Sequence, residues 1–444
     1  MPLFDGLRNW LLSPLLSVLD ADDRQRMISV DKARAYRQGD QPDTLKYNTA
    51  IGQANDNIVL NFIGLAVDRS VSMLFGKGVD FSIEGEADSA EAVYLNAVLD
   101  ANKEEMLFHT LALYGAESGT YYLRILPDGI IGKDGKTYPR LVALDPAYVD
   151  IDTEPEDIEI VRSYCMRYPI KGPDGKPAIR KIEIERDEVG NWQTVSSLEQ
   201  GSQDLVTDVT PWPYDFPPIL HGKNMPTTGT PYGQPDITPD VIRLQDRINF
   251  TASNLSKIIR LYAHPVRIGK GLTRQEIVDV APDKMLLINK ESDILQLPAL
   301  GDLPAAEMFY AGLKQSLFDI TRTVDITSLQ DKVGALTNFG LRILYQDALQ
   351  KLATKRELYG DMLEELARRL LIIGGTANPP DVEIIWPEPL PINEQDVTTG
   401  LQFDLDNGLV SKQTASVKRG YNFTAEQERI DVETTLSFNN TPEL

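Results

Sequence analysis

The chain is poor in the residues that most catalytic and metal sites use. Its 444 residues include one cysteine, Cys165, and three histidines. A lone cysteine excludes an intrachain disulfide and points to a reducing compartment. His109, His221 and His264 lie far apart, without the spacing of metal ligands. No Gly-x-Ser-x-Gly nucleophile elbow occurs. The sequence therefore predicts no catalytic residue, no metal and no cofactor, and a protein that is not an enzyme.

Long hydrophobic runs and an excess of basic residues are also missing. No stretch approaches the roughly twenty apolar residues of a membrane span, so no membrane partner is expected. Residues 3–19 are apolar but contain Asp5, Arg8 and Pro14, which favours an amphipathic helix docked on the body or on a neighbour over a signal peptide. The formal charge is −22. That charge argues against a simple DNA-binding protein, because counterion release rewards cationic surfaces.

Two stretches resemble ligand-binding motifs but lack residues that those motifs require. Residues 135–137, Gly-Lys-Thr, end like a phosphate-binding loop, but Ile130 stands where the first glycine is needed, so a hairpin turn is predicted. The acidic run at 150–159 resembles a calcium loop, but Pro155 replaces the turn glycine and Val161 the bidentate glutamate. A solvated acidic loop is expected there. A bound cation, or an α/β enzyme that uses this cluster with a metal, remains an alternative.

What the sequence does contain is alternating helical and strand periodicity, which predicts an α+β chain. Residues 45–75 and 88–115 have helical spacing, and the period switches to two from Thr120 onwards, which predicts an antiparallel sheet. A long helix is expected at 338–372. Capping signals then predict three short helices near 393–406, 411–419 and 424–436.

Two further helices carry matching apolar seams and are separated by an insert of roughly forty residues. The first begins at Thr238-Pro239, ends before His264-Pro265, and is roughly 37 Å long. Spacings of three and four place each seam on one narrow stripe, as in helices that pack nearly parallel against neighbours. The residues predicted to form this oligomer seam are Val241, Leu244, Ile248, Leu255 and Ile258 in the first helix and Leu313, Leu317 and Ile320 in the second.

One charge pattern runs from the first seam helix into the insert. Between Arg247 and Gln275 there are six basic residues and no acid. They either form ion pairs with acidic neighbours across a subunit interface, or some of them face a polyanion or an acidic partner protein. Periodicity alone does not decide between these interpretations.

The order of elements and several local phrases resemble the portal protein of tailed double-stranded DNA bacteriophages. The phrases are Asn61–Gly78, Gly233–Asn254, Ala263–Gly271 and Leu390–Gly420, the last with an NGLVSKQT core. None is as specific as a catalytic signature. Together they span nearly the whole chain in the right order.

The resemblance implies a structural ring of about twelve copies at one capsid vertex, through which DNA is packaged and later ejected. Its partners would be further copies of itself, double-stranded DNA without sequence specificity, the terminase, a head-tail adaptor, and the major capsid protein or scaffold. It would assemble in the host cytoplasm and reside in the virion. The runner-up is a structural adaptor or baseplate-like ring that never encloses DNA, which would not need a long stem hairpin.

Mapped onto this chain, the resemblance implies a phage portal architecture. Its parts are a mixed α/β wing at 1–236, a two-helix stem at 237–264 and 304–325, a small α/β clip at 265–303, a tunnel loop at 326–337, a long wing helix at 338–375 and a short helical crown at 376–444. The candidate DNA-channel residues are Lys332, Thr327, Ser328, Gln330, Thr337, Lys257, Lys314 and Arg322. The candidate docking residues of the clip are Arg267, Lys270, Arg274 and Lys284. The alternative for 326–337 is an ordinary helix connector buried between subunits.

Overall fold

The computed structural model confirms the α+β class. It describes residues 12–47, 55–83, 89–172, 174–200, 203–263, 268–270, 286–288, 303–325, 338–390, 394–418, 427 and 429–430. The chain divides into two compact units. The first comprises residues 1–333 and 344–387, and the second comprises 334–343 and 388–444.

The first unit begins with three helices, α1 (residues 12–18), α2 (Ala21–Gln38) and α3 (Phe62–Phe75). Helix α1 buries Leu12 and Leu15 against α2. The prediction of one helix over 45–75 was wrong in its first part, because the described residues 45–47 and 55–61 are not helical. Helix α3 starts only after Asn61, whose side chain accepts a hydrogen bond from the amide of Gly64.

The helix predicted at 88–115 is two helices, α4 (Ala90–Asn102) and α5 (Glu104–Ser118). Lys103 separates them with a positive φ of 53°, a conformation that no residue inside an α-helix adopts. Helix α5 continues to Gly119, whose φ of 84° allows the left-handed turn that ends it.

Apart from one short parallel pair, the described strands form antiparallel sheets. A three-stranded sheet has the order β3 (Thr137–Leu144), β2 (Thr120–Ile131), β9 (Ile219–Lys223). A five-stranded meander follows in chain order: β4 (Val149–Thr153), β5 (Val161–Lys171), β6 (Pro177–Arg186), β7 (Trp192–Gln200) and β8 (Gln203–Pro211). Strand β1 (Asp80–Ile83) pairs with β12 (Val382–Ile385). The predicted turn around Gly135 joins β2 to β3, with a φ of 79° at that glycine.

The two seam helices are α6 (Pro239–Ala263), with the predicted start and end, and α7 (Leu303–Thr321). Between them, the structure describes only β10 (Ile268–Lys270) and β11 (Leu286–Ile288), which pair in parallel. The long helix predicted at 338–372 is divided at Tyr345 into α8 (Asn338–Leu344) and α9 (Gln346–Ile373).

The core of the first unit lies between α3, α5, α9 and the three-stranded sheet. Phe108, Leu123 and Leu366 are fully or almost fully buried there, and the rings of Tyr121 and Tyr359 stack with centroids 4.2 Å apart. The two seam helices, for which the label stem is kept, enter this core at their inner ends, which are the start of α6 and the end of α7, through Ile248 and Leu317 among others. This places the stem root on a rigid, close-packed base.

The second unit contains α10 (Glu394–Asp406) and α11 (Lys412–Lys418), which agree with two of the three predicted C-terminal helices. The third predicted helix, 424–436, lies mostly outside the described residues, although 427 and 429–430 are helical. None of the described helices combines the length and the apolar character of a membrane span.

Candidate functional site

A buried carboxylate and two lysines join the root of the stem to the long helix. Asp236, just before α6, lies 2.6 Å from the ammonium of Lys355 and 3.0 Å from that of Lys351 on α9. Lys355 also donates a hydrogen bond to the hydroxyl of Ser70 on α3, and Lys351 donates one to the carbonyl of Thr321 at the end of α7. This root cluster therefore ties together both stem helices, α3 and α9.

Burial and the neighbouring charges have opposite effects on the pKa of Asp236 and on the pKa of Lys355 in this root cluster. Burial alone would raise the pKa of Asp236, but the ammonium groups of Lys355 and Lys351 outweigh it and hold that pKa well below its usual range. Burial lowers the pKa of Lys355 to about 8, although Asp236 opposes the shift. Separating the two ammonium groups from the buried carboxylate would cost much free energy, because it would leave charges unpaired away from water.

Residues 55–61, which form no helix or strand and are called the strap, run along α6. The amide of Leu60 donates to the side-chain oxygen of Asn249 at 3.0 Å, and the amide of Ile58 donates to the hydroxyl of Ser253 at 2.9 Å. Asn249 and Ser253 are one helical turn apart and almost fully buried. The helix thus satisfies the backbone of the strap with a row of polar side chains.

The outer end of the strap is held by an ion pair. Both carboxylate oxygens of Asp56 accept hydrogen bonds from the Arg260 guanidinium, at 2.6 and 2.7 Å. These bonds lower the pKa of Asp56. For Arg260, the structure therefore shows pairing within the chain. Elsewhere in the basic run, Arg247 lies over the rings of Phe250 and Phe309, at 5.1 and 6.0 Å from their centroids.

The seam divides into an inner and an outer part. It was expected to meet neighbouring subunits, but Val241, Ile248 and Leu317 are buried in the core of their own chain, and Leu244 and Leu313 pack against that core. The reason is that α3 covers the inner ends of both stem helices. These five side chains already have intramolecular neighbours.

The outer part of the seam remains open. Ile248 is fully buried, but Ile259, three turns further along α6, is 57% exposed. Between the strap, α6 and α7 lies a groove of about 470 Å³, called the stem groove; it is lined by Ile58, Ala252, Leu255, Ser256, Ile259, Arg260 and Tyr310. Of the other predicted seam residues, Ile258 is half-buried and Ile320 is exposed. Apolar surface is therefore uncovered in the outer half of the stem, and Ile320, one residue before the end of α7, is exposed at the inner end.

The candidate channel residues in the described ranges have different environments. Lys314 is half-buried and pairs with Asp325 at 2.7 Å. Lys257 is exposed. Arg322 is exposed, has a φ of 54° where α7 ends, and lines a polar pocket of about 180 Å³ beside Lys351. Lys314 is therefore the most constrained of the three.

Most other predicted site residues lie outside the described residues. They are Thr327, Ser328, Gln330, Lys332 and Thr337 of the predicted tunnel loop and Arg267, Arg274 and Lys284 of the predicted clip. Lys270 belongs to strand β10, but only its backbone is described.

Carboxylates of the acidic run at 150–159 form ion pairs with basic side chains. Asp150 accepts hydrogen bonds from Arg26 and Arg167, Glu154 pairs with Arg162, and Glu159 pairs with Lys223 at 2.6 Å. Asp150 and Glu154, which stand at ligand positions of a calcium loop, are therefore turned towards arginine side chains. In the part of the chain that the structure describes, no cluster of His, Cys, Asp or Glu has the arrangement of a metal site.

The root cluster and the polar side chains of Asn249 and Ser253 on α6 were not predicted from the sequence, although the sequence contains a signal for each. Lys355 lies at an apolar-face position of α9, between the buried Leu352 and Tyr359. A lysine at such a position predicts a buried anionic partner. Likewise, Asn249 and Ser253 continue a four-residue spacing on a helix that was expected to pack, which predicts a buried polar contact.

The model of the family described as phage portal protein, SPP1 Gp6-like, matches residues 16–434. A comparison with curated proteins finds no significant match.

Proposed function

Because that match covers nearly the whole chain, the chain belongs to the phage portal proteins, and we propose that about twelve copies form a closed ring that encloses double-stranded DNA. Portal proteins are structural components of the virion, in the head-tail connector, and the family is not enzymatic. The ring would stand at one capsid vertex and serve DNA packaging and ejection.

The proposed division of the chain follows the predicted one. The wing would be 1–236, the stem 237–264 and 304–325, the clip 265–303, the tunnel loop 326–337, the long wing helix 338–375, and the crown 376–444. The clip would dock the terminase and the head-tail adaptor, and the wing would meet the major capsid protein or scaffold. The ring would assemble in the host cytoplasm.

The observation that carries this proposal is the uncovered apolar surface of the outer stem. Ile259, which lines the stem groove on α6, is more than half exposed, and so are Met308 and Phe309 on the adjacent helix α7. Contiguous exposed apolar surface marks an interaction site. A closed ring of identical copies would cover this surface on every subunit at once.

The charge distribution suits a channel that DNA must slide through. With a net charge of −22 per chain, the ring would repel the phosphate backbone over most of its surface. The exposed Lys257 and Arg322, together with Lys332 of the tunnel loop, would give a few transient phosphate contacts, which position DNA without selecting its sequence.

Replacing Ile259 with aspartate tests the ring. The change places an unpaired carboxylate in the proposed contact, which costs several kcal/mol at each interface, so rings should be lost in favour of monomers. Val189→Asp is the matched control, because Val189 is 84% exposed at the turn between β6 and β7, far along the chain from the stem. Sedimentation velocity at micromolar concentration distinguishes ring from monomer. Unchanged rings for Ile259→Asp would place this surface in solvent.

A further inference from the structure

The stem has an aromatic ridge as well as a groove. The ridge consists of Phe250 on α6 and Phe309 on α7, joined by the guanidinium of Arg247, which lies over both rings. Phe309 is 51% exposed, although it is one of the largest apolar side chains. Phe250 is half-buried, so the ridge is a second apolar surface that is partly uncovered, distinct from the residues that line the groove.

The ridge and the groove lie on opposite sides of the stem. Phe250 and Ile259 are nine residues apart on α6, which at about 100° per residue is two and a half turns. Ile259 lines the groove, so Phe250 points away from it. Phe309 belongs to the side of Phe250, because one guanidinium covers both rings.

The groove has the size and chemistry to hold such a ridge. A cavity of roughly 150 Å³ is enough for a benzene-sized ring, and the stem groove offers about 470 Å³. Leu255, Ile259 and Tyr310 give it an apolar lining. Arg260, the cation among the described lining residues, is neutralised by Asp56, so an approaching arginine meets little repulsion from it.

We propose that the stem groove of each copy receives the aromatic ridge of the next copy around the ring. This inference rests on the proposed ring. A cyclic assembly joins two different patches of neighbouring subunits, and patches on opposite sides of one element allow the contact to continue from copy to copy. A two-fold contact of groove against groove would instead leave both ridges exposed. The strap forms one wall of the groove through Ile58 and so shapes the contact.

Cysteine cross-linking tests this contact without removing the ridge or the apolar lining. In a Cys165→Ser background, Ser256→Cys places a thiol in the groove with a near-isosteric change, and Asn254→Cys places one a single turn beyond Phe250, on the ridge side. Residues two apart on a helix do not face each other, so the two thiols cannot pair within one chain. Mild oxidation should therefore give a covalent ladder up to the full ring on a denaturing gel.

The controls separate this contact from the ring itself. Each single variant should stay monomeric on the gel, and a mixture of the two should stop at dimers. Val189→Cys combined with Ser256→Cys should give no ladder. Rings seen by microscopy without a ladder, or dimers from Ser256→Cys alone, would overturn the ridge-in-groove contact and leave the ring standing. Absence of rings in the Cys165→Ser background would overturn both.

Discussion

The substitution Asp236→Asn should destabilise the protein more than any loss of a surface ion pair. The new amide keeps the shape of the carboxylate but removes its charge, which leaves Lys351 and Lys355 facing each other without an anion. Lys355 is almost fully buried, so its ammonium has no access to water in compensation. Breaking one partner of a buried pair costs about 3–5 kcal/mol.

The expected shift of the melting temperature follows from chain length. An unfolding entropy of about 2.1 cal/mol/K per residue, for 444 residues, gives roughly 0.9 kcal/mol/K. A loss of about 3–5 kcal/mol therefore corresponds to a decrease of roughly 3–5 °C, measured by calorimetry at pH 7 and one fixed protein concentration.

Asp100→Asn is the matched control for this experiment. The Lys133–Asp100 pair has a similar length, 2.8 Å, but both side chains are exposed. Exposed ion pairs of this kind contribute little to the free energy of unfolding, so the melting temperature of the control should be close to that of the wild type. Equal shifts for Asp236→Asn and Asp100→Asn would refute the reasoning, because burial would then make no difference to the cost.

Two further perturbations follow from the same geometry. Folding releases the Lys355 proton between pH 8 and the ordinary lysine pKa, so wild-type stability should gain up to about 3 kcal/mol as pH rises through that window. Lys355→Met should lack this gain, and melts at pH 7.5 and 9.5 measure the difference; equal slopes would contradict it. Arg260→Ala should release the outer strap, so the amide of Ile58 should exchange hydrogen faster while that of Leu111 stays protected. Unchanged exchange at Ile58 would show that Arg260 does not hold the strap.

The parts of the fold that depend on local signals could be predicted from the sequence. Helix α6 begins at Pro239 and ends before His264, as predicted, because a cap, a first-turn proline and a terminating His-Pro pair lie within the helix itself. The β2–β3 hairpin turn was predicted for the same reason, since Gly135 supplies its positive φ.

The parts of the fold that depend on residues far away in the sequence could not be predicted from the sequence. Residues 55–61 have helical spacing but are not helical, because Ser253 and Asn249 accept hydrogen bonds from the backbone amides of Ile58 and Leu60. The inner seam was predicted to face neighbours, and periodicity cannot distinguish a neighbouring subunit from α3 of the same chain. Lys355 meets Asp236 across 119 positions of sequence, so its pairing is visible only in the fold.

Electron-microscopic class averages of the purified protein, viewed down the symmetry axis, test the central claim most directly. We expect closed rings of about twelve copies with an open central channel. A population of monomers or two-fold dimers at micromolar concentration, or rings without a central opening, would contradict it.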